Sequence, residues 1–137
     1  MSGTFNKAKF AGSHLLIELW SKIDHPLLTD DKACSTVLEE ACRDAGATVL
    51  SSHFHHFGEG YGVTGVVILS ESHLSIHSWP EIGYAAIDIF MCGSCNPEDA
   101  LKRLEKEFEP KHMTTQLVYR GVHTSKVKRR RKSSKKD

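Results

Sequence analysis

Val63-Thr64-Gly65-Val66-Val67-Ile68-Leu69, His73-Leu74-Ser75-Ile76-His77 and Tyr84-Ala85-Ala86-Ile87-Asp88-Ile89-Phe90-Met91-Cys92 follow one another with short breaks between them. The first run is rich in β-branched residues, which suit a pleated, half-buried surface. The second alternates aliphatic with polar residues, the period of a strand with one buried face. Pro80 and Gly83 close it, and the third run opens behind them. Upstream, Gly58-Glu59-Gly60-Tyr61-Gly62 reads as a turn and Thr48 to Phe57 as a strand. Before that strand, Asp30 can cap a helix and Asp31 suits its dipole. Ala33, Val37, Leu38, Ala41 and Ala45 form that helix's apolar stripe, and Gly46 is placed to end it. His14 to Trp20 is the first strand, bounded by Asp24, His25 and Pro26. Downstream, Asn96-Pro97-Glu98-Asp99 starts a second helix, with cap, first-position proline and then acids. Its apolar face is Ala100, Leu101, Leu104 and Phe108, Pro110 ends it, and Met113 to Arg120 is a last strand. The order β-α-β-β, then β-β-α-β, predicts an α+β fold of two layers: a mainly antiparallel sheet with helices on one face.

The 137 residues carry 18 Lys and Arg against 17 Asp and Glu, a net charge of +1. That balance is unevenly distributed. Residues 126–137 hold eight basic side chains and one acid, a net +7, whereas residues 1–125 hold ten basic and sixteen acidic ones, a net −6. We therefore expect one domain over 1–125, long enough for a core. The tail over 126–137, with Val127 as its apolar residue, cannot bury enough surface to fold. The longest aliphatic run, Val66 to Leu69, is far from the roughly 18 apolar residues that span a bilayer. The first ten residues lack the apolar region of a secretory signal. The expectation is a cytoplasmic protein without a membrane partner, with Cys34, Cys42, Cys92 and Cys95 as thiols or catalytic groups. The run Lys126 to Lys132 also fits nuclear import or contact with nucleic acid. Without aromatics or base-reading groups such contact is only non-specific, so nucleic acid is not the predicted partner.

Polar residues embedded in strand patterns carry the candidate chemistry: Glu71, Ser72, His73, Ser75, His77, Glu81, Asp88 and Cys92. No metal is expected, because His53 and His55 share a strand face but two ligands do not complete a zinc site. Cys92-Gly93-Ser94-Cys95 matches Cys-x-x-Cys just before the Asn96 cap, yet the thioredoxin-like βαβ context is absent. Ser72, His77 and an acid would form a hydrolytic triad by combination only, with no Gly-x-Ser-x-Gly elbow. The turn 58–62 lacks the Lys-Ser/Thr of a phosphate loop, and Glu59 repels phosphate.

The stretch Gly62-Val-Thr-Gly-Val-Val-Ile-Leu-Ser-Glu-Ser-His-Leu-Ser-Ile-His-Ser-Trp-Pro-Glu81 closely resembles the processing site of the prokaryotic-type S-adenosylmethionine decarboxylases, which are pyruvoyl-dependent enzymes. The likeness continues through Gly83-Tyr-Ala-Ala-Ile-Asp-Ile-Phe-Met-Cys-Gly93. It is weaker at Gly12 to Glu18, Gly46 to Ser51 and Phe54 to Phe57, and does not reach the basic tail. The resemblance implies a proenzyme that cleaves itself between Glu71 and Ser72. The Ser72 hydroxyl attacks the preceding carbonyl, β-elimination releases the N-terminal chain, and loss of ammonia leaves a covalent pyruvoyl group at position 72. That ketone forms a Schiff base with the substrate amine and serves as an electron sink. By the same resemblance His77 assists processing, Thr64 supplies a processing hydroxyl, and Cys92 returns a proton to the substrate carbon. Phe57 stacks on the adenine and Glu81 accepts the ribose hydroxyls. The product would be the aminopropyl donor for spermidine synthesis. The two cleaved chains stay together, and the units pair as a homodimer, an αββα-type sandwich with active sites at its interface.

Two departures from the family pattern bear on this. Family members usually carry Ser where this chain has Thr64, whose extra methyl stiffens χ1. The 58–62 turn is also one residue longer than usual. With Glu59 in that turn, arginine or ornithine is the alternative substrate, and a processing-dead binding or regulatory subunit is a second alternative. Strand periodicity adds a constraint: Ser72 and His77, five apart, point to opposite faces of an unbroken strand.

Overall fold

Side-chain alternation turns six strands into one two-faced sheet. The structure, a computed structural model, describes residues 10–70 and 72–122; Glu71 and the basic segment 126–137 lie outside them. The strands are β1 (Gly12–Trp20), β2 (Val49–His56), β3 (Val63–Leu69), β4 (His73–Trp79), β5 (Tyr84–Cys92) and β6 (His112–Arg120). The helices are α1 (Pro26–Thr29), α2 (Asp31–Asp44) and α3 (Pro97–Phe108). The sheet order is β2-β3-β4-β5-β1-β6, and every neighbouring pair is antiparallel. This is the predicted α+β architecture.

One face of the sheet carries Leu15, Ile17, Leu19, Leu74, Ile76, Ala85, Ile87, Ile89 and Met91, all buried. The apolar stripes of α2 (Val37, Leu38, Ala41) and α3 (Ala100, Leu104, Phe108) complete that core. Capping follows the sequence closely. The Asp30 carboxylate accepts from the Lys32 and Ala33 amides at 3.0 and 3.1 Å, and Asn96 Oδ1 accepts from the Glu98 amide at 3.1 Å. Arg103 on α3 reaches back to Asp44 on α2, its Nε 2.8 Å from Oδ2, and holds that carboxyl below its usual range.

Two local features depart from expectation. Residues Pro26–Thr29 form the short helix α1, capped by His25, whose Nδ1 accepts from the Leu27 amide at 3.1 Å. Four residues are too few to register as a periodic pattern. Helix α3 stops at Phe108, where Glu109 turns left-handed with φ of 49°. Its carboxylate meets His25 Nε2 at 3.3 Å, a tertiary contact that holds a conformation unfavourable for a non-glycine residue.

Among the described residues, no helix covers the other face of the sheet. It presents His53 and His55 from β2, Thr64 and Val66 from β3, His73, Ser75, His77 and Trp79 from β4, and Asp88 and Phe90 from β5. These are the alternates of the buried positions.

Candidate active site

Strand β4 is unbroken from His73 to Trp79, and this fixes where the candidate residues stand. Ser72 precedes the strand at the β3–β4 hairpin, where its carbonyl accepts from the Leu69 amide at 3.0 Å. It opens into a polar crevice of about 190 Å³ with Thr48, Ser70, Cys92, Ser94 and Cys95. Gly46 behind α2 and Cys95 ahead of α3 set this crevice toward the helix side. Cys92 ends β5, and its Sγ lies 3.1 Å from Ser94 Oγ and 3.8 Å from Cys95 Sγ.

The other candidates converge elsewhere. The β3–β4 register sets Thr64 opposite His77, and Thr64 Oγ1 lies 3.2 Å from His77 Nδ1. Both line a cavity of about 500 Å³ on the helix-free face, together with Phe57, Tyr61, Trp79 and Glu81. A volume of this size suits a nucleoside-sized ligand. Its three aromatic rings are partly solvent-exposed, Phe57 by 57% and Tyr61 by 63%. The 58–62 turn delivers Tyr61 to the rim. Gly58 there has a φ of 117°, which L side chains avoid, and the Tyr61 amide donates to the Gly58 carbonyl at 2.9 Å. Gly62 lies against the Ser78 carbonyl so closely that a Cβ would collide with it. Buried Ser78 anchors the cavity floor, its Oγ accepting from the Val63 amide at 2.9 Å and donating to the Leu28 carbonyl at 2.8 Å.

Within one chain, then, Ser72 and Cys92 share one place, and Phe57, Thr64, His77 and Glu81 share another. Five residues of extended strand separate Ser72 from His77, about 16 Å along β4. The periodicity constraint holds, and no bend brings the two together. Sequence reasoning missed Tyr61 and Trp79 as cavity residues. The signal was available in the glycines flanking Tyr61 and in the odd-numbered phase that Trp79 shares with His77. It also did not anticipate Cys95 in the Ser72 crevice. Asp88 is engaged elsewhere, 3.0 Å from His14 Nε2 and within reach of Ser75 Oγ at 3.4 Å. Glu59 is not among the residues that line the cavity. His53 and His55 are exposed on the helix-free face, while His56 Nδ1 accepts from the Gly58 amide at 3.2 Å. Among the described residues no three His, Cys, Asp or Glu side chains gather as metal ligands, and no helix is long and apolar enough to cross a membrane.

A family model described as S-adenosylmethionine decarboxylase matches residues 13–121. The chain belongs to the S-adenosylmethionine decarboxylase family. An S-adenosylmethionine decarboxylase proenzyme of Acetivibrio thermocellus is 45% identical over 118 residues, 85% of this chain and 94% of that protein. A proenzyme of the same name from Methanococcus aeolicus is 44% identical over 114 residues, 82% of this chain and 96% of its own length. The crystal structure of the adenosylmethionine decarboxylase from Aquifex aeolicus has a TM-score of 0.72 at 34% identity, covering 85% of this chain and 96% of that one. The family match thus takes in both the Ser72 crevice and the Thr64–His77 cavity, and ends before the basic segment.

Proposed function

We propose that the chain is a self-processing, pyruvoyl-dependent S-adenosylmethionine decarboxylase, releasing CO2 and the aminopropyl donor used in spermidine synthesis. The observation that carries the substrate is the single cavity bounded by Phe57, Tyr61, Trp79 and Glu81. Flat aromatic faces suit adenine, and a carboxylate suits ribose hydroxyls. Arginine or ornithine would leave those rings unused, and Glu59, which would favour a cation, is not among the residues that line the cavity.

The residues at the hairpin fit the origin of the pyruvoyl group. Ser72 is a half-buried hydroxyl in a polar crevice, directly after the Glu71 carbonyl that it would attack. A pyruvoyl group at position 72 would supply the electron sink that decarboxylation requires. Cys92, which lines the same crevice, is the proposed donor of a proton to the substrate carbon. The Thr64 hydroxyl ties His77 Nδ1, which orients the ring and leaves Nε2 for proton transfer during the elimination. Phe57 and Glu81 hold the nucleoside. A cytoplasmic setting suits an enzyme that keeps Cys92 as a working thiol.

The separation of roughly 16 Å between Ser72 and His77 supports a homodimer in which one copy's Ser72 crevice meets the other copy's cavity. The helix-free face leaves Ile68, Trp79 and Phe57 exposed for such a partner. Three measurements test this reading. A mass spectrum of the purified protein should give fragments 1–71 and 72–137, the second blocked by a pyruvoyl group, and Ser72→Ala should give intact chain without activity. CO2 release should occur from S-adenosylmethionine and not from arginine or ornithine; release from a basic amino acid alone would sink the substrate assignment. Co-expressing Ser72→Ala with His77→Ala should restore cleavage of the His77→Ala chain, because the partner then supplies the histidine. No restoration, with both variants folded, rules out the shared site.

A further inference from the structure

The four cysteines occupy two environments. Cys34 and Cys42 have no exposed surface, and burial pushes both thiols up to about 12. Neither supplies thiolate, the reactive form, near neutral pH. Cys92 and Cys95 are half-buried and line the Ser72 crevice, with their sulfurs 3.8 Å apart. The turn between β5 and α3 holds them there, the Cys95 amide donating to the Cys92 carbonyl at 3.1 Å. A disulfide needs about 2.05 Å between sulfurs, so closure asks for a side-chain adjustment and no change of fold. Cys95 also packs against the edge of the core, which leaves Cys92 as the sulfur that first meets a small molecule entering the crevice.

We infer that Cys92 and Cys95 form a reversible redox site for hydroperoxides, whose disulfide form withdraws Cys92 from turnover. Cys92 sulfur attacks the peroxide O–O bond and becomes a sulfenic acid, with an alcohol or water leaving. Cys95 sulfur then displaces the sulfenic oxygen as water, and the two thiols are oxidised to one disulfide while the peroxide is reduced. A dithiol reductant returns both thiols. The consequence for turnover rests on the proposed role of Cys92 as proton donor; formation of the disulfide does not.

Cleavage between residues 71 and 72 leaves Cys34 and Cys42 on one chain and Cys92 and Cys95 on the other, so the products separate by mass. After hydrogen peroxide treatment of the processed protein, the peptide carrying both cysteines of chain 72–137 should lose two hydrogens. Decarboxylation should fall by about 100-fold, the scale of a lost general acid, and dithiothreitol should restore both. The activity of Cys95→Ser is read against its own untreated sample. Without a resolving thiol, excess peroxide should carry Cys92 past the sulfenic acid to the sulfinic or sulfonic acid, a gain of two or three oxygens, with loss of activity that dithiothreitol does not restore. Wild-type protein that gains oxygen at Cys92 without losing two hydrogens overturns the inference, as does a disulfide from Cys42 joining the two chains. A Cys92–Cys95 disulfide with undiminished decarboxylation overturns the switch and the role of Cys92, leaving the decarboxylase reading intact. Protein that is inactive before oxidation counts against the decarboxylase reading, while the mass shift still decides the redox site.

Discussion

Alternate residues of β4 meet opposite surroundings. Leu74 and Ile76 are completely buried beneath the helices, while His73 and His77 stay exposed on the other side. The same division runs across the sheet. On β3, Val63 and Val67 are buried, and Thr64 between them bonds to His77. The helix side therefore holds the core, and the open side carries the proposed substrate cavity. The Ser72 crevice is the exception: a candidate catalytic place on the helix side, reached from the end of the sheet.

Substitutions on the two sides should separate along this line. His77→Ala should slow self-cleavage by about 100- to 10,000-fold, the usual range for a lost acid–base group. Its stability should change by less than about 0.5 kcal/mol, as for exposed sites generally. A large loss of stability would mean that the open face also holds the fold. Ile76→Ala, one residue earlier, should do the reverse. Denaturant unfolding should show a loss of about 2–5 kcal/mol, with turnover per folded molecule retained. Phe57→Ala should raise KM for S-adenosylmethionine by about 5- to 100-fold, the equivalent of one lost base stack, without changing the extent of self-cleavage. An unchanged KM would remove Phe57 from the nucleoside site. The smallest effect belongs to Arg103→Ala on the helix layer. Arg103 holds the Asp44 carboxyl below its ordinary range, so the pair stabilises at neutral pH and is lost as pH falls through that lowered value. The variant should melt slightly below wild type at pH 7, with the difference shrinking below about pH 4.

Much of the fold was legible because its determinants are local. The Asp30 and Asn96 caps, the alternation of β4 and the β-branched run of β3 each settle their own element. Helix α1 and the left-handed Glu109 were not legible, since both depend on His25, which lies 84 residues from Glu109 in sequence. The site divides in the same way. The residues themselves stood out through the likeness of the Glu71–Glu81 run to a known family. Their grouping did not, because it depends on register: pairing Thr64 with His77 needs the exact hairpin offset, which strand period alone does not supply. Period did show that Ser72 and His77 face apart. Tyr61 and Trp79 were hidden for a simpler reason, being read as parts of a turn and of a strand rather than as walls of a cavity.

The strand order has a consequence for the cut molecule. Cleavage before Ser72 would assign β1, β2 and β3 to one polypeptide and β4, β5 and β6 to the other. In the order β2-β3-β4-β5-β1-β6, β1 then lies clasped between two strands of the other polypeptide. Separating the halves would mean breaking three strand pairings, β3 with β4, β5 with β1 and β1 with β6. Before cleavage, folding is a first-order event of a single chain. Afterwards, reassembly requires two different molecules to meet, so recovery from unfolding depends on concentration. An uncut chain would keep a unimolecular way back to its fold, which the separated fragments would lack.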